Sequence, residues 1–215
     1  MGNRSIVGTG CFLFVFTLGA ARANAVVINF DVDANGNPIT APTGFLSQQP
    51  LRNEYASLGV SFSGPSSTDG GAILEQGANF GVPARSFPNF LAFNRAATMA
   101  NGGLARDPET LTFSGPVGSV SIWASGGSSS TAFRMEAFTS GGIGVGSSTV
   151  NSPSGGYAQL IINNPTQPIG RVTLTEIGGD DSFVYDDLEF AIIPEPASAG
   201  ILLGASVLAL PRRRR

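Results

Sequence analysis

Two stretches decide how this chain folds: Val117-Gly118-Ser119-Val120-Ser121-Ile122-Trp123-Ala124 and Ala132-Phe133-Arg134-Met135-Glu136-Ala137-Phe138-Thr139. In the first, Val120 and Ile122 fall on one side, with Ser119, Ser121 and Trp123 on the other. In the second, Phe133, Met135 and Ala137 oppose Arg134, Glu136 and Phe138. Successive side chains of an extended strand point to opposite faces, so a period of two marks a half-buried β-strand. Working outward, the same signal predicts strands at Val26–Asp31, Tyr55–Ser63, Ala72–Glu75, Phe90–Asn94, Thr110–Phe113, Ile143–Val150, Ala158–Ile162, Arg171–Glu176 and Phe183–Ile192. Gly- and Ser-rich pieces (Gly64–Gly71, Gly126–Ser130, Gly141–Ser148, Ser152–Gly156) separate them and read as turns. No stretch between Val26 and Ile193 carries a helical stripe, and Leu51–Leu58 is predicted to make no more than a helical turn. Many short strands in one domain of this length predict an all-β fold, a single β-sandwich of jelly-roll type.

The two ends differ from this body. Arg4, the apolar stretch Cys11–Ala20 and Ala23-Asn24-Ala25 have the order of an export signal, so residues 1–25 are read as a signal peptide and Val26 as the first mature residue. Ala21-Arg22-Ala23 is the alternative cut. Cys11 precedes the apolar stretch it would have to follow in a lipoprotein, which argues against acylation. It is also the sole cysteine, so the mature body has no disulfide. At the other end, Pro194-Glu195-Pro196 is followed by 14 apolar or small residues, Ala197–Leu210, then by Pro211 and Arg212, Arg213, Arg214 and Arg215. As a helix that run would span roughly 21 Å, short of a hydrocarbon core of roughly 30 Å. A basic stop would stay on the cytoplasmic side. The segment therefore reads as one held briefly and then cut, with a permanent anchor as the alternative.

The combination of Pro194-Glu195-Pro196, the apolar run and Arg212–Arg215 resembles the PEP-CTERM sorting signal of Gram-negative bacteria. The resemblance implies recognition by exosortase after signal peptidase has removed the leader, transient insertion in the inner membrane, and export to the cell surface or an extracellular polysaccharide matrix. The body, residues 26–193, resembles secreted PEP-CTERM proteins with carbohydrate-binding-module-like sandwiches. The matching pieces are Ile28-Asn29-Phe30-Asp31, the segment Tyr55–Phe62, Phe113-Ser114-Gly115-Pro116-Val117 and Tyr185-Asp186-Asp187-Leu188-Glu189-Phe190. That resemblance implies that the first and last strands meet and that a structural Ca²⁺ sits near their ends.

Charge narrows the ligand classes. The body has six arginines, no lysine and fourteen acids, a formal charge of −8. Such a surface does not suit nucleic acid, whose affinity comes from neutralised phosphates. Divalent cations and neutral sugars fit better. Asp31-Val32-Asp33-Ala34-Asn35-Gly36 matches the first half of a calcium loop, but position twelve is Pro42 and no helix flanks it. Asp31, Asp33 and Asn35 are thus candidate ligands, with an Asn-Gly hairpin turn as the alternative. Asp180-Asp181, Asp186-Asp187 and Glu189 form a second acidic cluster. Strict alternation places Val184, Asp186, Leu188 and Phe190 on one face, so Asp186 needs a partner, either a cation shared with Asp31 or Asp33 or else Arg171, with an exposed strand end as the alternative. Asp187 is the accompanying candidate ligand. Trp123, on the polar side of its strand, is the candidate for stacking on a sugar ring, with Tyr157, Tyr185, Arg134 or Asn163 in support; the alternative is that it caps one end of the core.

Catalysis finds few groups. With no histidine in the chain, a Ser-His-Asp triad and histidine-ligated zinc are excluded. A carboxylate pair of the glycoside-hydrolase kind is the surviving option, and no spacing singles out an acid and a base. The sequence thus predicts a non-enzymatic exported protein that binds or builds matrix. A carbohydrate-active enzyme using two carboxylates, or a permanently anchored envelope protein, is the alternative.

Overall fold

Thr110–Phe113 and Val117–Ala124, predicted as two strands, form one long strand that joins the two layers of the molecule. The computed structural model describes residues 24–164 and 167–193. Its strands are β1 (Asn24–Ile28), β2 (Val60–Ser63), β3 (Ala72–Glu75), β4 (Asn89–Thr98), β5 (Leu104–Ala105), β6 (Glu109–Ser125), β7 (Thr131–Phe138), β8 (Gly144–Ser152), β9 (Ala158–Asn163), β10 (Ile169–Glu176) and β11 (Ser182–Ile192). The helical pieces among the described residues are single 3₁₀ turns at Phe45–Ser47, Ala56–Leu58 and Gln76–Ala78. The second is what becomes of the turn predicted over Leu51–Leu58.

Every strand pairing is antiparallel. The first half of β6 lies between β2 (Phe62↔Leu111) and β10 (Val172↔Leu111), and β7 and β8 extend that layer beyond β10. The second half lies between β9 (Ile122↔Leu160) and β11 (Val120↔Phe190). Beyond β11 come β1, along its C-terminal half, and β4 followed by β3, along its N-terminal half. One hydrogen-bonded sheet thus folds over itself at β6 into a sandwich, as the sequence predicts. The first and last strands meet, Val26 opposite Phe190 and Ile28 opposite Leu188.

The apolar faces of the two layers close on each other. Val120, Ile122, Phe133, Met135 and Ala137 are all buried, as their alternation requires, and Leu111, Val172, Leu174 and Leu160 join them. Phe93 and Phe183 stack at 4.9 Å, and Phe133 and Tyr185 pack against them edge-on. Burying each such side chain is worth about 1.5–3 kcal/mol, so this aromatic group contributes much of the cohesion.

One expectation about β11 is corrected. Its pairing with β6 shifts between Asp186 and Glu189, and Asp187 takes a left-handed φ of 47°. This bulge exchanges the two faces. Phe183, Tyr185, Leu188 and Phe190 all enter the main core, whereas Val184 turns outward into a second cluster with Leu74, Phe90, Ala92 and Val82. That second cluster lies beneath the segment 76–88, which runs over the outer face of β4 and β11. Among the described residues no helix is long and apolar enough to cross a membrane. Pro194, Glu195, Pro196, Arg212, Arg213, Arg214 and Arg215, with residues 1–23, lie outside the described residues.

Candidate functional site

The outer face of the β9–β6–β11 layer carries the polar residues that the sequence singles out. Alternation along β6 brings Ser119, Ser121 and Trp123 out on this face. Pairing places Asn163 opposite Ser119, Ile161 opposite Ser121 and Gln159 opposite Trp123. On the other flank Glu189 pairs with Ser121 and Asp186 with Trp123. A shallow depression of about 200 Å³ runs between Ser119, Ser121, Ile161, Asn163 and Glu189.

At one end of this face Trp123 is covered. The Arg85 guanidinium lies 4.0 Å from the centroid of the indole, a cation–π contact, and its Nη1 also donates to the Asp187 carboxylate. One ring face is therefore occupied, and the indole follows Ser119 and Ser121 in the alternation along β6. Of the residues expected to support Trp123, Asn163 is on this face. Tyr157 is beside it, but its hydroxyl donates to the Pro83 carbonyl at 3.0 Å, and burial pushes its phenol well above the ordinary range. Tyr185 is fully buried in the core, and Arg134 pairs with Glu136 on the opposite layer, so neither reaches the site.

Asp186 is fully buried, on the outer face of β11 with Val184, and Arg171 is not its partner. Arg171 instead stacks on Phe138 at 4.6 Å. Asp186 Oδ2 accepts from the backbone N–H of Arg85 (2.7 Å) and Ser86 (3.1 Å). Its Oδ1 accepts from the Asp187 N–H at 2.8 Å, and the Ser86 hydroxyl lies 3.1 Å from it and 3.1 Å from the Asn29 carbonyl. Burial, aided by the charge on Asp187, pushes the Asp186 carboxyl up to about 7 against the pull of these donors. The carboxylate therefore pins segment 85–86 over the sheet, and through it sets Arg85 on Trp123. Nothing in the sequence points to Arg85 or Ser86, because their partner lies about a hundred residues away.

The Asp31–Asn35 loop forms the hairpin turn given above as the alternative. Asp33 Oδ1 accepts from the N–H groups of Asn35 (2.8 Å) and Asn37 (2.9 Å), and Oδ2 from Asn37 Nδ2 (2.9 Å). The Asn37 side chain, first among these, holds the Asp33 carboxyl below its ordinary value. Gly36 supplies the φ of 84° that the turn needs. Asp31 Oδ1 accepts from the Asn89 N–H at 2.8 Å. The two acidic clusters are thus tied to one segment, residues 85–89, by hydrogen bonds and not through a gathered set of ligands. Among the described residues no group of three or more Asp, Glu, Cys or His side chains lies close enough to hold an ion. Both Asp33 oxygens and Asp31 Oδ1 are engaged by protein donors, which is a poor fit to Ca²⁺ in this arrangement.

No protein-family model matches the chain, and no curated protein does. Among solved structures it is similar to the K2 cleaved adhesin domain of Lys-gingipain, with 10% identity over 78% of this chain and 99% of that one and a TM-score of 0.48. It is similar to a DUF4465 family protein from Bacteroides caccae, with 12% identity over 79% and 99% of the two chains and a TM-score of 0.49. A C-terminal family 22 carbohydrate-binding module of Clostridium thermocellum Xyn10B gives 16% identity over 70% and 94%, with a TM-score of 0.39. Likenesses this remote assign no ligand to the chain.

Proposed function

We propose that this is an exported, non-catalytic protein of the cell surface or extracellular matrix of a Gram-negative bacterium, and that its sandwich binds polysaccharide. Signal peptidase would release the body at Val26. Exosortase would act near Pro194-Glu195-Pro196 while the apolar run and Arg212–Arg215 hold the chain in the inner membrane. The order of these segments at the two ends supports delivery. The binding reading rests on one observation: the outer face of β6 presents Ser119, Ser121 and Trp123 in alternation, with the amide of Asn163 and the carboxylate of Glu189 flanking the two serines. An open, flat row of mixed donors and acceptors beside an aromatic edge suits an extended neutral chain, whose hydroxyls and C–H faces need both. A non-catalytic role is supported by the absence of histidine from the chain and of cysteine and lysine from the mature body.

The test is retention on cellulose, xylan, mixed-linkage β-glucan and alginate. The secreted protein should be retained by at least one neutral polymer, and Trp123→Ala should weaken retention up to about tenfold, the scale of one aromatic contact. Circular dichroism melting would confirm that the variant is folded. Equal retention of parent and variant would remove Trp123 from the site. Failure of the parent on every polymer would overturn the binding reading.

A further inference from the structure

At the far end of the same layer, a cleft of about 420 Å³ opens between the segment 78–80, the turn 126–129 and the turn 180–182. We infer that this cleft is a second binding site and that it takes a neutral saccharide, one or a few sugar units long. The inference deepens the polysaccharide reading and rests on it. Its volume lies in the range of small-molecule pockets, about 300–1,000 Å³.

Two pairs of contacts build the walls. The turn 126–129 meets segment 78–81 so closely that a Cβ on Gly127 would lie 1.7 Å from the Phe80 carbonyl oxygen, and one on Gly81 would lie 2.7 Å from Ser128 N. Both glycines have positive φ, so only glycine accommodates this closure. Opposite, Arg95 on β4 fixes the turn 180–182. Its backbone N–H donates to the Asp181 carbonyl at 2.9 Å, and its Nη1 donates to the Asp180 carbonyl. Its other nitrogens are taken by Asp107 and Glu176, so Arg95 does not neutralise the Asp180 side chain. On the floor, the Asn94 amide is spent on Ser182 Oγ and the Ala96 N–H.

What is left open defines the ligand. The Asp181 carboxylate stands exposed on the wall, and a carboxylate oxygen accepts, so the occupant must bring a donor. The side chains of Asn79 and Ser128 line the same space and are exposed. The rings of Phe45 and Phe80, 6.3 Å apart and edge-to-face, supply an apolar wall, and Phe90 steadies Phe80 at 5.4 Å. Two carboxylates exclude an anion. A multivalent cation would require a third acid, and none is gathered here among the described residues. A ligand with hydroxyl donors on one side and C–H groups on the other meets each demand, which is the chemistry of a sugar ring.

Amide spectra of the ¹⁵N-labelled secreted protein, titrated with cellobiose, xylobiose, maltose and mannobiose, test this. Saturable shifts are expected at Asn79, Ser128 and Asp180–Ser182 with at least one of the four. Asp181→Asn should weaken that binding about tenfold, because it replaces an acceptor of the exposed wall with a donor. Ser128→Phe, at an exposed position, should fill the cleft and do the same without touching the core. Saturable shifts confined to Ser119, Ser121, Trp123 and Asn163 would overturn the cleft and leave the polysaccharide reading standing. So would retention on a polymer with no saturable shift in the cleft. Absence of both would overturn the two together.

Discussion

Replacing Glu109 by glutamine should stabilise the protein at pH 8 and leave it nearly unchanged near pH 4.5. Glu109 opens β6 and is fully buried. Its Oε2 accepts from the Gly71 N–H at 2.8 Å, while Oε1 has no partner. Burial pushes its carboxyl from 4.5 up to about 8, and the Gly71 hydrogen bond and the Arg52 charge only partly oppose this. A carboxyl raised in the folded state binds its proton more tightly there than in the unfolded chain. Its contribution is therefore fully present below pH 4.5 and is lost as pH rises through 8. At 1.36 kcal/mol per pKa unit, the loss accumulated by pH 7 is about 3 kcal/mol. For a body of this size that corresponds to about 6–12 °C in the melting midpoint. Glutamine keeps the shape and the acceptor for Gly71 and has no proton to lose. Thermal melts of parent and Glu109→Gln should be followed from pH 4.5 to 8 by circular dichroism and by the fluorescence of Trp123, the sole tryptophan. The two midpoints should diverge steadily as pH rises. The variant should keep a weaker slope up to about pH 7 from Asp186, whose carboxyl is raised in the same direction. A parent midpoint flat across this range, or a variant that tracks the parent, would refute the reasoning.

Two further outcomes are expected. EDTA should leave the melting midpoint unchanged, because both Asp33 oxygens are taken by Asn35 and Asn37 and Asp31 Oδ1 is tied to the Asn89 N–H; a midpoint raised by added Ca²⁺ would show that the loop rearranges around an ion bound only by the folded form. Intact mass of the secreted protein should begin at Val26 and lack Arg212–Arg215, and a secreted species that keeps those arginines would defeat the processing proposal.

The sandwich was legible because its evidence is local. Ala72–Glu75 forms a strand with the predicted bounds, and the alternation of Phe133, Met135 and Ala137 places each of them in the core. Where the reading failed, the cause was a distant partner. Gly115 and Pro116 look like a strand break, yet β6 continues through them because Ile193 N–H bonds to the Pro116 carbonyl at 2.9 Å from the other end of the chain. Strict alternation through Val184–Phe190 misplaces Val184 and Asp186 because a bulge leaves no mark in a run of otherwise ordinary strand residues. The need of Asp186 for a partner was visible, but the partner was a pair of backbone N–H groups, which any sequence possesses. Backbone donors carry no residue signature, so the pinning of segment 85–86 could be seen only in three dimensions.

The geometry of β11 also bears on how such a domain would present its sites. Antiparallel pairing sets Asn24 opposite Ile192, so the chain enters and leaves the sandwich side by side. Both proposed cuts lie next to this point. Cleavage before Val26 removes two residues of β1 and leaves Val26, Val27 and Ile28 paired with Phe190, Glu189 and Leu188. A cut near Pro194 falls beyond Ile192, the last residue of β11. The opposite end of β11 is Ser182, a wall of the cleft. Eleven extended residues put these ends about 35 Å apart. The two proposed cuts therefore lie at the β1–β11 end of the sandwich and the cleft at the other. The row from Ser119 to Trp123 runs along the side between them. Processing would therefore change the protein's location without altering either proposed site.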